Sequence, residues 1–376
     1  MQYRKLGSTG MEISTLGFGC MRFPYIEGTQ TIDEEKTIPM LRRAYELGVN
    51  YFDTAFYYCD GNSEVTLGKA VKPFRDKVYL STKIPVGRVE STADYRKFLE
   101  QSLKKLDTDY IDCYHFWSIN KDTFDEKMLK YDLLSEAVKA KEEGLIKHIS
   151  FSFHGNPDDF PYMIERAPML ETLLIQYNIL DRSNEKGIEY IASTGRGVIA
   201  MGPVGGGRLA APTELADKIG SVSAKATYEL ALRFVLGNPN ISCALSGMRT
   251  IEEVENNVKV MSSDIPFTEE ENAKIKESLE DLKKFSDLYC TGCRYCMPCV
   301  KNIDIPHIFY LYTLYNVYGL KDHAKAMYKK YCDKLTEEQK DGLVSSCINC
   351  GACEKKCPQK LEIREKLKLA DSILRP

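Results

Sequence analysis

The chain has 376 residues, of which 43% are hydrophobic and 28% charged, and its formal net charge is −3. This composition excludes a largely disordered protein, and the length fits one large domain together with a small one. The sequence has no basic cluster interleaved with aromatic residues and no run of about 18 apolar residues. Its N-terminal residues also lack the apolar segment that a signal peptide contains. We therefore expect no nucleic-acid binding, no membrane span and no signal peptide.

The first predicted element is a β-hairpin over QYRKLGSTGMEIS (2–14), whose turn contains two glycines. From about residue 16 to residue 260, short apolar runs then alternate with longer amphipathic segments such as EKTIPMLRRAYELG, DYRKFLEQSLKKLD and DLLSEAVKAKEEG. The predicted strands are TLGFG (15–19), YFDT (51–54), VYLSTK (78–83), IDCYHF (111–116), IKHISFS (146–152), LLIQYN (173–178), GVIAMG (197–202) and SCALSG (242–247).

Eight strands that alternate with helices over roughly 250 residues predict an α/β fold, a (β/α)8 TIM barrel. An open, doubly wound sheet is the alternative, and the lack of a G-x-G-x-x-G motif after the first strand weakens it. The alternation stops after a predicted helix, FTEEENAKIKESLEDLKKF, and cysteine, tyrosine and lysine then become frequent. We predict a barrel domain over residues 1–285 and a small, mainly helical domain over residues 286–376.

The C-terminal part carries the two densest cysteine groups of the chain. CTGCRYCMPC contains Cys290, Cys293, Cys296 and Cys299, and SCINCGACEKKCPQK contains Cys347, Cys350, Cys353 and Cys357. The second group has the C-x2-C-x2-C-x3-C-P spacing of bacterial ferredoxins, in which three cysteines bind one [4Fe–4S] cluster and the fourth binds the other cluster. The paired groups therefore predict a ferredoxin-like domain with two [4Fe–4S] clusters.

Two questions stay open for these groups. Structural zinc also takes four thiolates, although it usually uses two separated C-x-x-C pairs. The first group ends with a two-residue gap, and Val300 stands where proline is expected, which leaves the role of Cys299 open. If the fourth ligands cross over, Cys357 completes the cluster of the first group and Cys299 completes that of the second.

The cysteine spacing also bears on where the protein is located, and the charge of the C-terminal part bears on its partners. Cysteine groups with metal-ligand spacing favour a reducing, cytoplasmic location over a secreted disulfide framework. Residues 281–376 hold 17 Lys and Arg against 12 Asp and Glu, a net charge of +5, which suits docking of an acidic protein or, equally, solvated helix faces. Five cysteines lack metal-ligand spacing, and we interpret them as core or surface residues: Cys20, Cys59, Cys113, Cys243 and Cys332.

Four polar residues stand at the ends of three neighbouring predicted strands. Asp53 closes the second strand and Tyr58 follows in its loop, Lys83 closes the third strand, and His115 closes the fourth. Because the chemistry of such barrels lies at the carboxyl ends of the strands, we expect the four side chains to meet. An ammonium group lowers the pKa of a nearby phenol, a carboxylate holds the ammonium, and an imidazole orients a carbonyl or relays a proton.

With D-T-A-x-x-Y, the lysine after the third strand and the histidine after the fourth, most of the predicted barrel domain resembles the aldo-keto reductase family. Members of this family reduce carbonyl groups with a nicotinamide cofactor, usually NADPH, and without a metal. The resemblance implies that Tyr58 is the proton donor, that Lys83 and Asp53 tune it, and that His115 orients the substrate. The neighbouring Tyr57 fits the family's spacing less well. Together with the cysteine groups, the whole chain is similar to a subgroup of the family that has a C-terminal helical domain with two [4Fe–4S] clusters.

The resemblance also implies contacts with the nicotinamide end of the cofactor. Gln176, after the sixth strand, matches the residue that holds the carboxamide. Ser152 lies near the matching position of the fifth strand, where the usual Ser-Asn pair is absent. Met201 occupies the place where the family often stacks a tyrosine on the nicotinamide.

At the other end of the cofactor, Gly205 and Gly206 in PVGGGRL match the loop around the pyrophosphate, where glycines let backbone N–H groups approach phosphate oxygens. Arg249, Glu253 and Asn257 match the residues that grip the adenosine end. An arginine there suits a 2′-phosphate, so the expected cofactor is NADPH, with NADH as the alternative.

The leading hypothesis is an NAD(P)H-dependent oxidoreductase that acts on a small carbonyl or alcohol and is fused to an electron-transfer domain, with a redox protein as its candidate partner. The alternative is an electron-transfer or interaction protein whose barrel no longer reduces carbonyls. Nicotinamide delivers two electrons as hydride, whereas a [4Fe–4S] cluster accepts one, and the sequence has no recognisable flavin motif. Either a flavin binds without such a motif, or the clusters do not take part in the hydride step.

Overall fold

The computed structural model describes residues 1–179, 181–210, 226–263, 267–282, 290, 292–316, 321–335 and 342–375. The chain divides into two compact units. The first comprises residues 1–204 and 231–267, and the second comprises residues 205–230 and 268–376. The predicted domain boundary at residues 285 and 286 lies outside the described residues, so that boundary stays a prediction.

The chain begins with the predicted hairpin. Strands β1 (Tyr3–Lys5) and β2 (Glu12–Ser14) pair antiparallel. The turn between them needs glycine at Gly7, because φ is +52° there and a Cβ atom would lie 2.3 Å from the backbone nitrogen of Gly197. The hairpin therefore packs tightly against the amino end of a barrel strand.

Eight parallel strands follow and close into a barrel in the order β10-β3-β4-β5-β6-β7-β8-β9. They are β3 (Leu16–Gly19), β4 (Tyr51–Asp53), β5 (Tyr79–Ile84), β6 (Ile111–Ile119), β7 (Ile146–Phe153), β8 (Thr172–Gln176), β9 (Gly197–Met201) and β10 (Cys243–Ser246). Each overlaps one predicted strand, and the predicted (β/α)8 barrel is confirmed. The strands are buried almost throughout, as expected for a parallel sheet that helices cover.

Helices connect these strands. They are α1 (Glu34–Glu46), α2 (Ser63–Val71), α3 (Ala93–Leu106), α4 (Lys121–Thr123), α5 (Leu133–Glu142), α6 (Phe160–Arg166), α7 (Glu185–Ser193), α8 (Thr227–Leu236) and α9 (Ile251–Ser262). A π-helical segment, Phe124–Leu129, follows α4. Short 3-10 helices occupy Lys72–Lys77, Val86–Arg88, Pro157–Asp159 and Gly205–Ala210.

The amino end of the barrel interior is filled with apolar side chains. Leu6, Met11 and Ile13 of the hairpin pack there with inward-facing strand residues such as Tyr51 and Leu174, and all of them are buried. Because this end is closed by the chain's own core, polar side chains that point into the barrel can reach a ligand only at the carboxyl ends of the strands.

The second unit is mainly helical. It contains α10 (Glu269–Leu282), α11 (Ile305–Asn316), α12 (Lys321–Asp333), the short α13 (Ala352–Lys355) and α14 (Ile363–Leu374), with a 3-10 turn at Val344–Ser346. Three helices, α11, α12 and α14, share a core in which Phe309, Tyr328 and Leu367 are buried. Among the helices of the described residues, none is long and apolar enough to cross a membrane.

Candidate functional site

A buried ion pair lies at the carboxyl ends of two neighbouring barrel strands. Asp53 ends β4, and the backbone register sets it opposite Ser81 of β5. The Lys83 Nζ atom lies 2.6 Å from Asp53 Oδ2 and also donates to the backbone oxygen of Thr54. Ser81 Oγ donates to the other carboxylate oxygen at 2.7 Å. The lysine side chain is only 1% exposed, so the pair is held by the protein and shielded from water.

Burial acts against both charges of this pair. It raises the pKa of the Asp53 carboxyl and lowers the pKa of the Lys83 ammonium, and the attraction between the two groups opposes each shift. Removing two charges from water costs several kcal/mol per ion, and the mutual attraction often does no more than offset this cost. An ion pair at this place is therefore poorly explained by fold stability alone, which points to a role in chemistry.

Tyr58 lies beside this pair in the loop after β4. The Lys83 Nζ atom is 5.0 Å from the centre of its ring, and the loop is fixed by backbone hydrogen bonds from Tyr58 to Ala55 and from Ser63 to Tyr58. The Tyr58 ring is half-buried and meets the ring of Trp117 edge-on at 5.6 Å. The neighbouring Tyr57 is 48% exposed. Of the two phenols, Tyr58 is the one that contacts the lysine.

A β-bulge between β6 and β7 contains Trp117, whose ring contacts that of Tyr58. The strand register shifts between Phe116 and Ile119, and Ser118 takes a positive φ of 59°. The Ser118 N–H donates to Ser152 Oγ at 2.8 Å. Bulges turn side chains away from regular alternation, and here the shifted residues are Trp117 and Ser118. The Ser152 hydroxyl, predicted to contact the cofactor, accepts this bond and keeps a hydrogen with which it can donate.

His115, on β6 next to Lys83 of β5, is completely buried. Neither ring nitrogen has a partner at hydrogen-bonding geometry. Burial, and then the charge of Lys83, lower the pKa of this imidazole to about 3, and the nearby Phe151 backbone offsets only part of the shift. The ring is therefore neutral near pH 7. It can accept or donate a hydrogen bond to a bound molecule, but it is not a ready source of protons.

A second histidine near the lysine was missed by the sequence analysis. His154 follows β7, and its pKa is lowered to about 4 by burial and then by the charge of Lys83. It continues the alternation of Ser150 and Ser152, whose hydroxyls bond to Thr172 and to the β6 bulge. The available signal was its place two residues after a predicted strand, close to the strand-end criterion that selected His115.

Gln176 ends β8 and is buried. A Cβ atom at Gly202, where φ is +66°, would lie 2.7 Å from both the Nε2 and Oε1 atoms of the Gln176 amide. Glycine is therefore required next to this amide, which is the group predicted to hold a carboxamide. Met201, opposite Gln176 in the strand register, is half-buried.

The predicted adenosine contacts lie where β10 leads into α9. Thr250 caps the helix by accepting the Glu253 N–H at 3.1 Å, and Glu253 Oε2 accepts the Arg249 N–H at 2.7 Å. Asn257 is buried one turn further on and donates to Ser246 Oγ at 3.1 Å. The Arg249 side chain is exposed at the amino end of this helix, where both its own charge and the helix favour an anion.

Gly205 and Gly206 begin a 3-10 helix with positive φ values of 58° and 71°. Such positive φ values favour glycine at these positions. These glycines belong to the second unit, so their part in cofactor binding stays a prediction.

The second unit contains a cavity lined by four cysteine side chains from both groups. Three come from the first group, Cys290, Cys293 and Cys296, and the fourth is Cys357 from the end of the second group. Burial, followed by the charges of the other three thiols, raises the pKa of Cys296 to about 12. The fold therefore brings the last cysteine of the second group to the first group, the arrangement in which the fourth ligands cross over.

Within the part of the chain that the structure describes, no three Cys, His, Asp or Glu side chains stand close enough to hold one metal ion. The four thiols that line the cavity are the kind of donor set that a [4Fe–4S] cluster takes.

The rest of the second group lies on a short loop. Cys347 and Cys353 are half-buried and Cys350 is exposed, and positive φ values at Asn349 and Gly351 give the loop its tight path. Burial, then the charge of Glu354, raise the pKa of Cys353, with a smaller effect from the Cys347 thiol. Cys299, the remaining cysteine of the first group, is half-buried against the helical core.

A family described as "Aldo/keto reductase family" matches residues 15–280, and one described as "4Fe-4S dicluster domain" matches residues 289–362. The second match contains all eight grouped cysteines.

Among curated proteins, L-galactose dehydrogenase of Arabidopsis thaliana is 29% identical over 76% of this chain and 97% of its own length. An uncharacterized oxidoreductase of Schizosaccharomyces pombe is 30% identical over 73% of this chain and 90% of its own length. Among solved structures, the holo form of aldo-keto reductase AKR11C1 from Bacillus halodurans covers 74% of this chain and 96% of its own, with 28% identity and a TM-score of 0.64.

Proposed function

Because this chain belongs to the aldo/keto reductase family and carries a 4Fe-4S dicluster domain in its C-terminal part, we propose that it is an NAD(P)H-dependent oxidoreductase. Its substrate would be a small carbonyl compound or the corresponding alcohol, and its helical unit would bind two [4Fe–4S] clusters. The observation that carries this proposal is the buried Asp53–Lys83 ion pair beside the Tyr58 ring.

In the reduction, the cofactor supplies a hydride to the carbonyl carbon when it is bound. Tyr58 donates its phenolic proton to the carbonyl oxygen. Lys83 stabilises the phenolate that this leaves, and Asp53 holds the ammonium in place through the 2.6 Å contact. The neutral His115 orients the carbonyl oxygen by a hydrogen bond. In the direction of alcohol oxidation, the same phenolate accepts the proton.

NADPH is the proposed cofactor because Arg249 offers a guanidinium at the amino end of α9. A guanidinium can pair with a 2′-phosphate through two parallel hydrogen bonds, which NADH cannot match. The Gln176 amide, against which Gly202 packs closely, would bond the nicotinamide carboxamide. The Ser152 hydroxyl would donate to the same group.

We propose that Cys290, Cys293, Cys296 and Cys357 bind one cluster and that the other four grouped cysteines bind the second: Cys299, Cys347, Cys350 and Cys353. The cavity that the first four line supports this assignment. A [4Fe–4S] cluster supplies one-electron transfer. A protein carrier of single electrons, in a reducing compartment, is the proposed partner of the helical unit.

One anaerobic experiment tests both halves of the proposal. Protein purified without oxygen is assayed for iron and then mixed with deuterated NADPH and a panel of small aldehydes. We expect close to eight iron atoms per chain and deuterium on the carbinol carbon of the product. Colourless protein with zinc would refute the clusters. In a parallel sample, a one-electron dye takes the place of the aldehydes. Reduction of this dye, with no deuterated alcohol formed from the aldehydes, would refute the carbonyl reductase and support an electron-transfer protein.

A further inference from the structure

A charged pair encloses the ligand loop of the second cysteine group. Arg364, near the start of α14, contacts Glu354 of α13 through three nitrogen atoms: its backbone N–H at 2.9 Å, its Nε at 2.9 Å and its second guanidinium nitrogen at 2.7 Å. The remaining guanidinium nitrogen donates to the backbone oxygen of Asn349 at 3.1 Å. One arginine thus ties both the loop between Cys347 and Cys353 and the helix after it to α14.

Both members of this pair stand next to cysteines of the loop. Arg364 reaches the loop at the backbone oxygen of Asn349, which directly precedes Cys350. Glu354 directly follows Cys353 in α13. The Arg364 side chain also packs against Gly351, where a Cβ atom would lie 3.8 Å from its Cζ atom. The loop therefore feels one positive and one negative charge at short range.

The first cysteine group has a different environment. Arg294 directly follows Cys293, but its side chain is 62% exposed and its ion pair with Asp304 is 3.8 Å long. Arg364 and Glu354 are 39% and 23% exposed, and their shortest contact is 2.7 Å. Solvent screens the first pair more strongly than the second. The two groups are thus unequal in the charge that the protein holds beside them.

We propose that Arg364 and Glu354 form a clamp that fixes the Cys347–Cys353 loop and sets the reduction potential of the cluster bound there, with Arg364 raising the potential and Glu354 lowering it. This inference rests on the two-cluster proposal above. Reduction adds one negative charge to a cluster, so a nearby cation stabilises the reduced form and a nearby anion destabilises it. Hydrogen bonds outside the ligand shell also hold ligands in place.

The charge and the geometry of the clamp can be separated with three variants. Arg364→Gln removes the cation, Glu354→Gln removes the anion, and Arg364→Lys keeps the charge but loses the planar fork. Arg294→Gln, next to the first group, is the matched control. Each anaerobic protein is reduced stepwise with dithionite and redox mediators while EPR follows the two clusters, and iron release to a chelator is timed in parallel.

We expect the potential of the second cluster to fall in Arg364→Gln and to rise in Glu354→Gln, although both variants break the same ion pair. In Arg364→Lys the potential should stay close to wild type, while iron leaves the second cluster faster. Arg294→Gln should leave the second cluster unchanged. If Arg364→Gln and Glu354→Gln bind only one cluster, the test rests on Arg364→Lys. Faster iron release from the second cluster of this variant, at an unchanged potential, supports the clamp.

Shifts of equal sign in the two Gln variants, or wild-type potentials and release rates in all three, would overturn the clamp. An iron content of about four atoms or fewer per wild-type chain, at most one [4Fe–4S] cluster, would instead overturn the two-cluster proposal, so the two failures are distinguishable.

Discussion

In the barrel, Lys83 and His115 are almost completely buried on two paired strands, whereas the grouped cysteines of the helical unit are half-buried or exposed and stand mostly on short loops. The barrel side chains are held by bonds within the protein, such as the contact between Lys83 and Asp53. The four thiols around the cavity share its lining with apolar side chains such as Ile305 and Phe309. The polar groups of the barrel site are thus held by bonds to one another, whereas the cysteines stand on loops beside an apolar core.

This difference has an energetic consequence. Hydrophobic burial stabilises the barrel, since its strands and the hairpin beneath them share an apolar core. The helical unit has a smaller core, and a share of its folding free energy should come from metal binding. Changes in the barrel site should therefore alter chemistry and leave iron in place, whereas changes of the cysteines should alter the second unit first.

The largest effect is expected at Tyr58. Tyr58→Phe removes the proton donor, and carbonyl reduction should fall by about 10²–10⁴-fold, since general acid catalysis typically contributes this much. NADPH affinity and iron content should not change, because the phenol acts on the substrate oxygen. Steady-state NADPH oxidation, fluorescence titration with NADPH and an iron assay measure the three quantities. Tyr57→Phe is the matched control, and a larger loss in that variant would reassign the donor.

The next effect concerns the crossing of the cysteine ligands. Cys357→Ser should remove the cluster of the first group, so that iron falls from about eight to about four atoms per chain, and it should destabilise the helical unit. NADPH binding by the barrel should persist. Iron assay, EPR and limited proteolysis follow these changes. Cys332→Ser, a half-buried cysteine outside both groups, is the control. Retention of both clusters in the Cys357 variant would contradict the crossing.

A smaller effect is expected at Arg249. Arg249→Ala removes one charge-assisted pair with the 2′-phosphate, which contributes roughly 1.5–3 kcal/mol, so NADPH should bind about one to two orders of magnitude more weakly. NADH affinity should barely change, because the backbone N–H that bonds Glu253 remains. Isothermal titration with both cofactors measures this. Lys259→Ala, exposed on the same helix, controls for net charge, and equal losses for both cofactors would refute a phosphate contact.

Periodicity predicted the eight strands, because strands of a parallel barrel read as apolar runs between amphipathic helices. The predicted fourth barrel strand ends at residue 116, whereas β6 continues to Ile119, because the bulge at Ser118 depends on a bond to β7 that no local pattern reveals. In the C-terminal part, predicted only as mainly helical, the structure has α11 and α12 as separate helices.

The site residues also divide into those that the sequence could predict and those that it could not. Residues at strand ends, such as Asp53 and Lys83, could be found from spacing, since the barrel topology dictates where strand ends meet. The bond between Arg364 and Glu354 could not, because it joins two short helices through a loop whose path needs left-handed residues. His154 had a strand-end signal close to that of His115 but lay outside the family's motif.

The smallest predicted effect is a pH dependence of barrel stability. His115 has a pKa of about 3 in the folded chain and about 6.5 when unfolded. Between these values the unfolded chain binds a proton that the folded chain does not, so stability is present above pH 6.5 and is lost as the pH falls. Between pH 7 and pH 5, this one histidine should lower the free energy of unfolding by about 2 kcal/mol.

Trp117, the chain's single tryptophan, lies in the barrel site and reports on its unfolding in urea at the two pH values. His115→Gln cannot take up a proton, so its stability should fall less than that of the wild type over this range, by about 2 kcal/mol. His323→Gln, on the exposed face of α12, should retain the wild-type pH dependence. If His115→Gln kept the full dependence, the imidazole would take up a proton in the folded barrel as readily as in the unfolded chain, and the lowered pKa of this ring in the folded chain would be refuted.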